Sequence, residues 1–189
     1  MAWLFGVGLA VAGCDREAVS VSGRPGTAPG APVAPATTGL GGAGSPWLDD
    51  GRPQAGLPRM RLYLGAHELD AELALTTAAI QKGMMWRTNV AETEGMLFVF
   101  GRPHQTAFWM KNVPIDIDVA YLDTEGIIRE IHRLERFNTN PVPARTDTIQ
   151  FALETAEGWF ERRGIGPGVM VRTDRGSLRE TFAGAGPRP

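Results

Sequence analysis

The chain has 189 residues, 43% of them hydrophobic, with a formal net charge of -2. That length holds one medium domain plus appended segments, and the near-balanced charge excludes a broad polyanion-binding surface, so nucleic acid is not an expected partner. The single cysteine, Cys14, excludes an internal disulfide.

The chain opens with "MAWLFGVGLAVAGC". This run is too short to span a bilayer as a helix, but it has the length of a signal-peptide apolar region ending in small residues. No Lys or Arg precedes it. Val11, Ala12, Gly13 and Cys14 together resemble a bacterial lipobox. The resemblance implies that residues 1–13 are removed and the Cys14 thiol is lipidated, with each buried methylene of the acyl chains worth about 0.8 kcal/mol. The expected location is therefore extracytoplasmic, anchored to a bacterial membrane on its periplasmic side or at the cell surface.

Residues 14–57 are mainly Gly, Pro, Ala, Ser and Thr, with no helix or strand period. Too few large apolar groups are present to offset the entropy of ordering this backbone, so a disordered tether is expected, with an end-to-end distance on the order of 35 Å. Trp47 and Leu48 are its candidates for docking on a folded domain.

A compact domain is expected over residues 58–179. "MRLYL" and "LDAELAL" alternate like strands, with Leu69, Ala71, Leu73 and Leu75 on one face. Thr76 or Thr77 can cap a short helix running through Met84 and Met85. "MLFVF" is a continuous apolar run and predicts a strand covered on both faces. "FWMKN" and "IDIDVAYL" read as strands interrupted at Val113 and Pro114, because proline cannot donate to a ladder. "DTEG" supplies a hairpin turn into "IIREIHRLE", with Gly126 free to take positive φ. After a loop over 136–147, "TIQFALE" alternates Ile149, Phe151 and Leu153 inward. Thr155 can open a second helix holding Trp159 and Phe160, Gly164 is its stop, and "GIGPGVMVRT" gives a turn and a strand. Residues 180–189 are expected to be a disordered tail. Many short strands with two short helices predict a mainly β fold, a sandwich or partly closed barrel.

Five segments then carry a family resemblance: "GMMWR" at 83–87, "GMLFVF" at 95–100, "FWMKN" at 108–112 with Asp118, "LE" at 153–154, and "GIGPG" at 164–168. In order and spacing they resemble the family called domain of unknown function 192. The resemblance implies a compact, mainly β domain of jelly-roll-like character and brings no established activity. The chain departs from that pattern at Asp116, where the family often has Pro, and at Val169, where it often has Asp.

Lys111, Asn112 and Asp118 offer a cation, an amide and a carboxylate within eight positions, with Arg87 as a fourth member from the helix. Such a set can orient a ligand, can act chemically if the amine loses its proton, or can pair internally to satisfy the strand break at Pro114. No nucleophile and base stand at a recognised spacing, and no Gly-x-Ser-x-Gly elbow occurs. His67, His104 and His132 lack metal-ligand spacing, so neither a metal nor another cofactor is expected. Trp86, Trp109 and Trp159 could stack on sugar rings, but their apolar neighbours favour core packing. The expectation is a membrane-tethered, non-catalytic binding or structural module of the cell envelope, with a small molecule, an envelope polymer or an envelope protein as its partner. The alternative is an envelope enzyme acting on a glycan or other envelope metabolite through Lys111 and Asp118.

Overall fold

The computed structural model describes residues 50–183. The leader, Cys14 and most of the tether lie outside the described residues, as do the last six positions. Among the described residues ten strands and three helices follow in chain order: β1 (Arg59–Leu64), β2 (His67–Ala74), α1 (Thr77–Lys82), β3 (Glu94–His104), β4 (Ala107–Phe108), β5 (Ile117–Asp123), β6 (Ile128–Leu134), β7 (Val142–Pro143), β8 (Ile149–Ala156), α2 (Trp159–Arg162), β9 (Val171–Thr173), β10 (Gly176–Ser177) and α3 (Leu178–Thr181). Eight strands form one sheet in the order β10-β9-β1-β2-β3-β8-β5-β6, and β4 pairs with β7 in a small second sheet.

The fold is mainly β, as the alternating pattern predicts, and the large sheet does not close into a barrel. It does curl. Ile127, at the β5–β6 turn, bridges to Met170 ahead of β9, although β6 and β9 stand near opposite ends of the strand order. Gly126 makes this approach with φ 84°, and a Cβ there would stand 3.1 Å from the Val171 carbonyl oxygen and from Leu178.

Alternation divides the core between the two faces of the sheet. Leu73, Leu97, Leu153 and Ala120 fall in register across β2, β3, β8 and β5 and belong to a cluster that includes Trp159, Phe160 and Leu178. One residue along, Glu72, Met96, Glu154 and Val119 are in register on the other face, where Met84, Met85, Met110 and Tyr121 form the second cluster. β5 is buried throughout and β3 from Gly95 to Phe100, because both faces are covered there.

Several local expectations need correction. Among the described residues there are three short helices, where two were expected. Thr76 caps α1 as predicted, its hydroxyl accepting from the Ala79 N–H, but the helix stops at Lys82 because Gly83 leaves helical geometry at φ 45°. α2 begins at Trp159 with Gly158 as its N-cap, not with Thr155, which stays in β8 fully buried. "FWMKN" is a strand only at Ala107–Phe108, and Lys111 and Asn112 sit in a turn with Asn112 at φ 59°. Residues 180 and 181, expected to lie in a disordered tail, belong instead to α3, which a capping box between Ser177 and Glu180 fixes. At the other end, the last tether residues dock. Lys82 binds Asp50 at 2.7 Å, and the Gln54 amide donates to the Ala79 and Gly83 carbonyls at 3.1 and 2.8 Å.

Candidate functional site

The predicted constellation separates into two places. Asp118 and Val119 are neighbours on β5, so their side chains leave opposite faces of the sheet. Val119 shares its face with Glu154, whereas Asp118 stands over the α2 side.

On the Glu154 face, Arg87 sits just past α1. Its guanidinium bonds Glu72 at 2.5 Å and the Gln54 carbonyl at 3.2 Å. Glu154 is buried beside it, and burial pushes its carboxyl up to about 8 against the pull of Arg87. Two polar atoms in this group are buried without a hydrogen bond: Glu154 Oε2 and Arg87 Nε. The Lys111–Asn112 turn adjoins the same region, because the Trp86 N–H donates to the Asn112 carbonyl at 2.7 Å. Trp86 and Asn112 both have positive φ, at 66° and 59°. A bulky residue held in that region stores strain of about 1–3 kcal/mol and persists only where its surroundings impose it. Thus Arg87, Lys111 and Asn112 belong to one neighbourhood, with Glu72 and Glu154 as members the sequence did not single out.

On the other face, Asp118 accepts a hydrogen bond from the Gly158 N–H at 2.8 Å and pairs with Arg133 at 3.5 Å. Desolvation raises its pKa above the ordinary carboxylate value despite these partners. Gly158 takes φ 70°, a conformation that L side chains rarely adopt, so the backbone approach to Asp118 favours glycine. Asp118 opens on a cleft of about 460 Å³ lined also by Ile131, Arg133, Phe160, Ile165 and Pro167.

Arg133 lies on β6, the edge strand, and also borders a second cleft of about 250 Å³. That cleft is lined by Trp109, Met110, Glu135, Asn138 and Asn140. Trp109 is 47% exposed, contrary to the expectation of core packing, because Phe108 and Met110 on either side turn inward. Phe108 packs edge-on against Phe98 at 4.9 Å, and Met110 is buried. The other two tryptophans follow the expectation: Trp159 is fully buried and Trp86 packs against the core. Among the described residues no group of three or more His, Cys, Asp or Glu side chains gathers as metal ligands.

The sequence signal for Glu154 was its place in an apolar strand, where a lone carboxylate must be paired or protonated. Arg133 carried no such signal, since arginine on an edge strand is ordinary.

The chain is similar to two bacterial proteins of known structure. A protein of Sinorhizobium meliloti 1021, described as a candidate transcription regulator, is 28% identical with a TM-score of 0.61, over 64% of this chain and 97% of that one. A protein of unknown function from Novosphingobium aromaticivorans DSM 12444 is 32% identical with a TM-score of 0.60, over 64% of this chain and 89% of that one. No curated protein matches the chain. The model of the family described as "Uncharacterized ACR", DUF192, matches residues 61–173, and the chain belongs to that family.

Proposed function

We propose that this protein is a membrane-tethered, extracytoplasmic binding module whose ligand seats in the Asp118–Arg133 cleft, without catalysis. The cleft carries the reading. It joins an apolar floor of Phe160 and Ile165 to a desolvated carboxylate and a half-exposed guanidinium, the mixture by which a pocket orients a small polar ligand. Catalysis through Lys111 and Asp118 has less support. Acid and base must meet at one reacting atom, and the Asp118 carboxylate is held by Gly158 and Arg133 on the face away from Glu154. The anchor is supported by the lipobox-like Val11–Cys14 and the Gly- and Pro-rich stretch that follows.

Two measurements test this reading. Cell fractionation of Cys14→Ser is expected to release the protein from membranes or leave it unprocessed; unchanged membrane partition sinks the anchor. Thermal-shift screening of the full chain against envelope metabolites is expected to find a compound whose stabilisation is lost in Asp118→Asn and in Arg133→Gln while both variants stay folded. Turnover of a screened compound that stops in Lys111→Met would replace the binding reading with an enzymatic one.

A further inference from the structure

The second cleft, around Trp109, has a chemistry of its own. It is lined by the half-exposed Trp109, by Asn138 and Asn140, and by the oppositely charged Arg133 and Glu135. Asn138 Oδ1 accepts from the Asn140 N–H at 3.0 Å, which fixes the turn that presents both side chains. The two loops forming the cleft are tied to each other by backbone bonds from Met110 N–H to Asn138 C=O at 2.7 Å and from Phe137 N–H to Val113 C=O at 3.0 Å. Among the described residues the three non-glycine positions with positive φ are Trp86, Asn112 and Phe137, all on these loops or bonded to them. The backbone is therefore held in a strained arrangement that leaves Trp109 outward.

We infer that this cleft binds one pyranose ring of a neutral carbohydrate, stacked on Trp109 and hydrogen-bonded by Asn138 and Asn140. A pyranose has an apolar C–H face and a rim of hydroxyls, each both donor and acceptor. A flat aromatic surface beside carboxamides, which also donate and accept, matches both parts. The balance of charge selects a neutral ring, since Glu135 opposes an anion and Arg133 is already engaged by Asp118 and Glu157 at 3.5 and 3.0 Å. The same balance disfavours a nucleic acid base stacked on Trp109, because a phosphate backbone needs a cationic groove and the chain carries -2. A pre-set cleft loses less freedom on binding than a mobile loop would, and its small volume suits a single sugar unit of a longer polymer. This inference rests on the binding-module reading but uses a different cleft.

The test is saturation-transfer NMR and fluorescence titration of the full chain with the neutral trisaccharides of N-acetylglucosamine and of glucose. A polygalacturonate oligomer and a single-stranded oligonucleotide serve as charged probes. A neutral trisaccharide is expected to bind, with affinity falling about tenfold or more in Trp109→Ala and several-fold in Asn140→Ala, and largely kept in Trp109→Phe. Thermal melts of each variant establish that the fold is intact. The inference is overturned if no neutral trisaccharide binds at 10 mM on the order of weak lectin-like affinities, if Trp109→Ala leaves binding unchanged, or if only a charged probe binds. Carbohydrate binding abolished by Asp118→Asn but indifferent to Trp109→Ala would retain the Asp118 cleft and reject this one. Binding that needs Trp109 and ignores Asp118→Asn would do the reverse.

Discussion

Across the centre of the large sheet, Leu73, Leu97, Leu153 and Ala120 meet on one face, while Glu72, Met96, Glu154 and Val119 meet on the other. The strands are the same and the rows differ by one residue. The first row is apolar throughout and lies under Trp159 and Phe160, so its contribution follows from area removed from water and needs no particular orientation. The second row holds two carboxylates, and Glu72 is paired with Arg87, which reaches over from the α1 side, and with Arg59 at 3.6 Å. Glu154 receives no hydrogen bond at Oε2 and responds by keeping its proton. Both faces carry an apolar cluster, but the first row supplies stability along its whole length, whereas the second accepts a cost in order to hold polar groups at depth.

The largest test of that contrast uses neighbouring residues on β3. Leu97→Ala is expected to cost about 3–4 kcal/mol, because a dry, close-packed site cannot collapse around the lost volume. Met96→Ala is expected to cost about 2 kcal/mol, since the adjacent polar atoms can accept water in the space left by a flexible side chain. Urea midpoints of the two variants measure the difference; equal losses would mean that both faces are packed alike.

Next comes the carboxylate. Glu154 is raised from 4.5 to about 8 in the folded state. Its contribution to stability is therefore fully present below pH 4.5 and lost progressively as pH rises through 8, because only the unfolded chain readily gives up the proton in that interval. Glu154→Gln removes this slope and is expected to stabilise the protein at pH 8 by on the order of 2 kcal/mol. Unfolding curves between pH 5 and 9 on the order of the shift above would count against a buried neutral carboxyl if wild type and variant ran parallel.

The smallest effect concerns the segment before β1. Gln54→Ala removes two hydrogen bonds to the α1 end and is expected to cost about 1 kcal/mol. Amide exchange at Gly83, faster in the variant, would locate the loss. No change at all would mean that residues 50–57 rest on the second face without holding it.

Much of the fold was legible along the chain. The alternation in "LDAELAL" placed Leu69, Ala71 and Leu73 on one buried face, the continuous run in "MLFVF" indicated a strand covered on both sides, and Gly126 marked its turn. These signals are local, so consecutive residues contain them. Less of the candidate site was legible. Reading "FWMKN" as a strand put Lys111 into a ladder, whereas backbone bonds from Met110 and Trp86 to distant partners pull residues 109–113 into a turn. Arg87 and Asn112 stand near each other through the Trp86–Asn112 backbone bond, whereas the pleat directs the Asp118 side chain to the far face.

The sequence by itself determined where strands begin and turn, which face of each is apolar, and which family the chain resembles, because periodicity and turn chemistry reside in neighbouring residues. Only the tertiary structure decided which polar groups meet. β8 enters the sheet between β3 and β5, and this brings Glu154 beside Met96 and Val119 and Arg87 over a row assembled from four strands. The exposure of Trp109 was decided in the same way, by two loops whose backbones bond each other across a separation of nearly thirty residues, from Met110 to Asn138. Strand order and loop pairing are long-range choices, and the energy that makes them is shared over the whole core rather than written in any one segment.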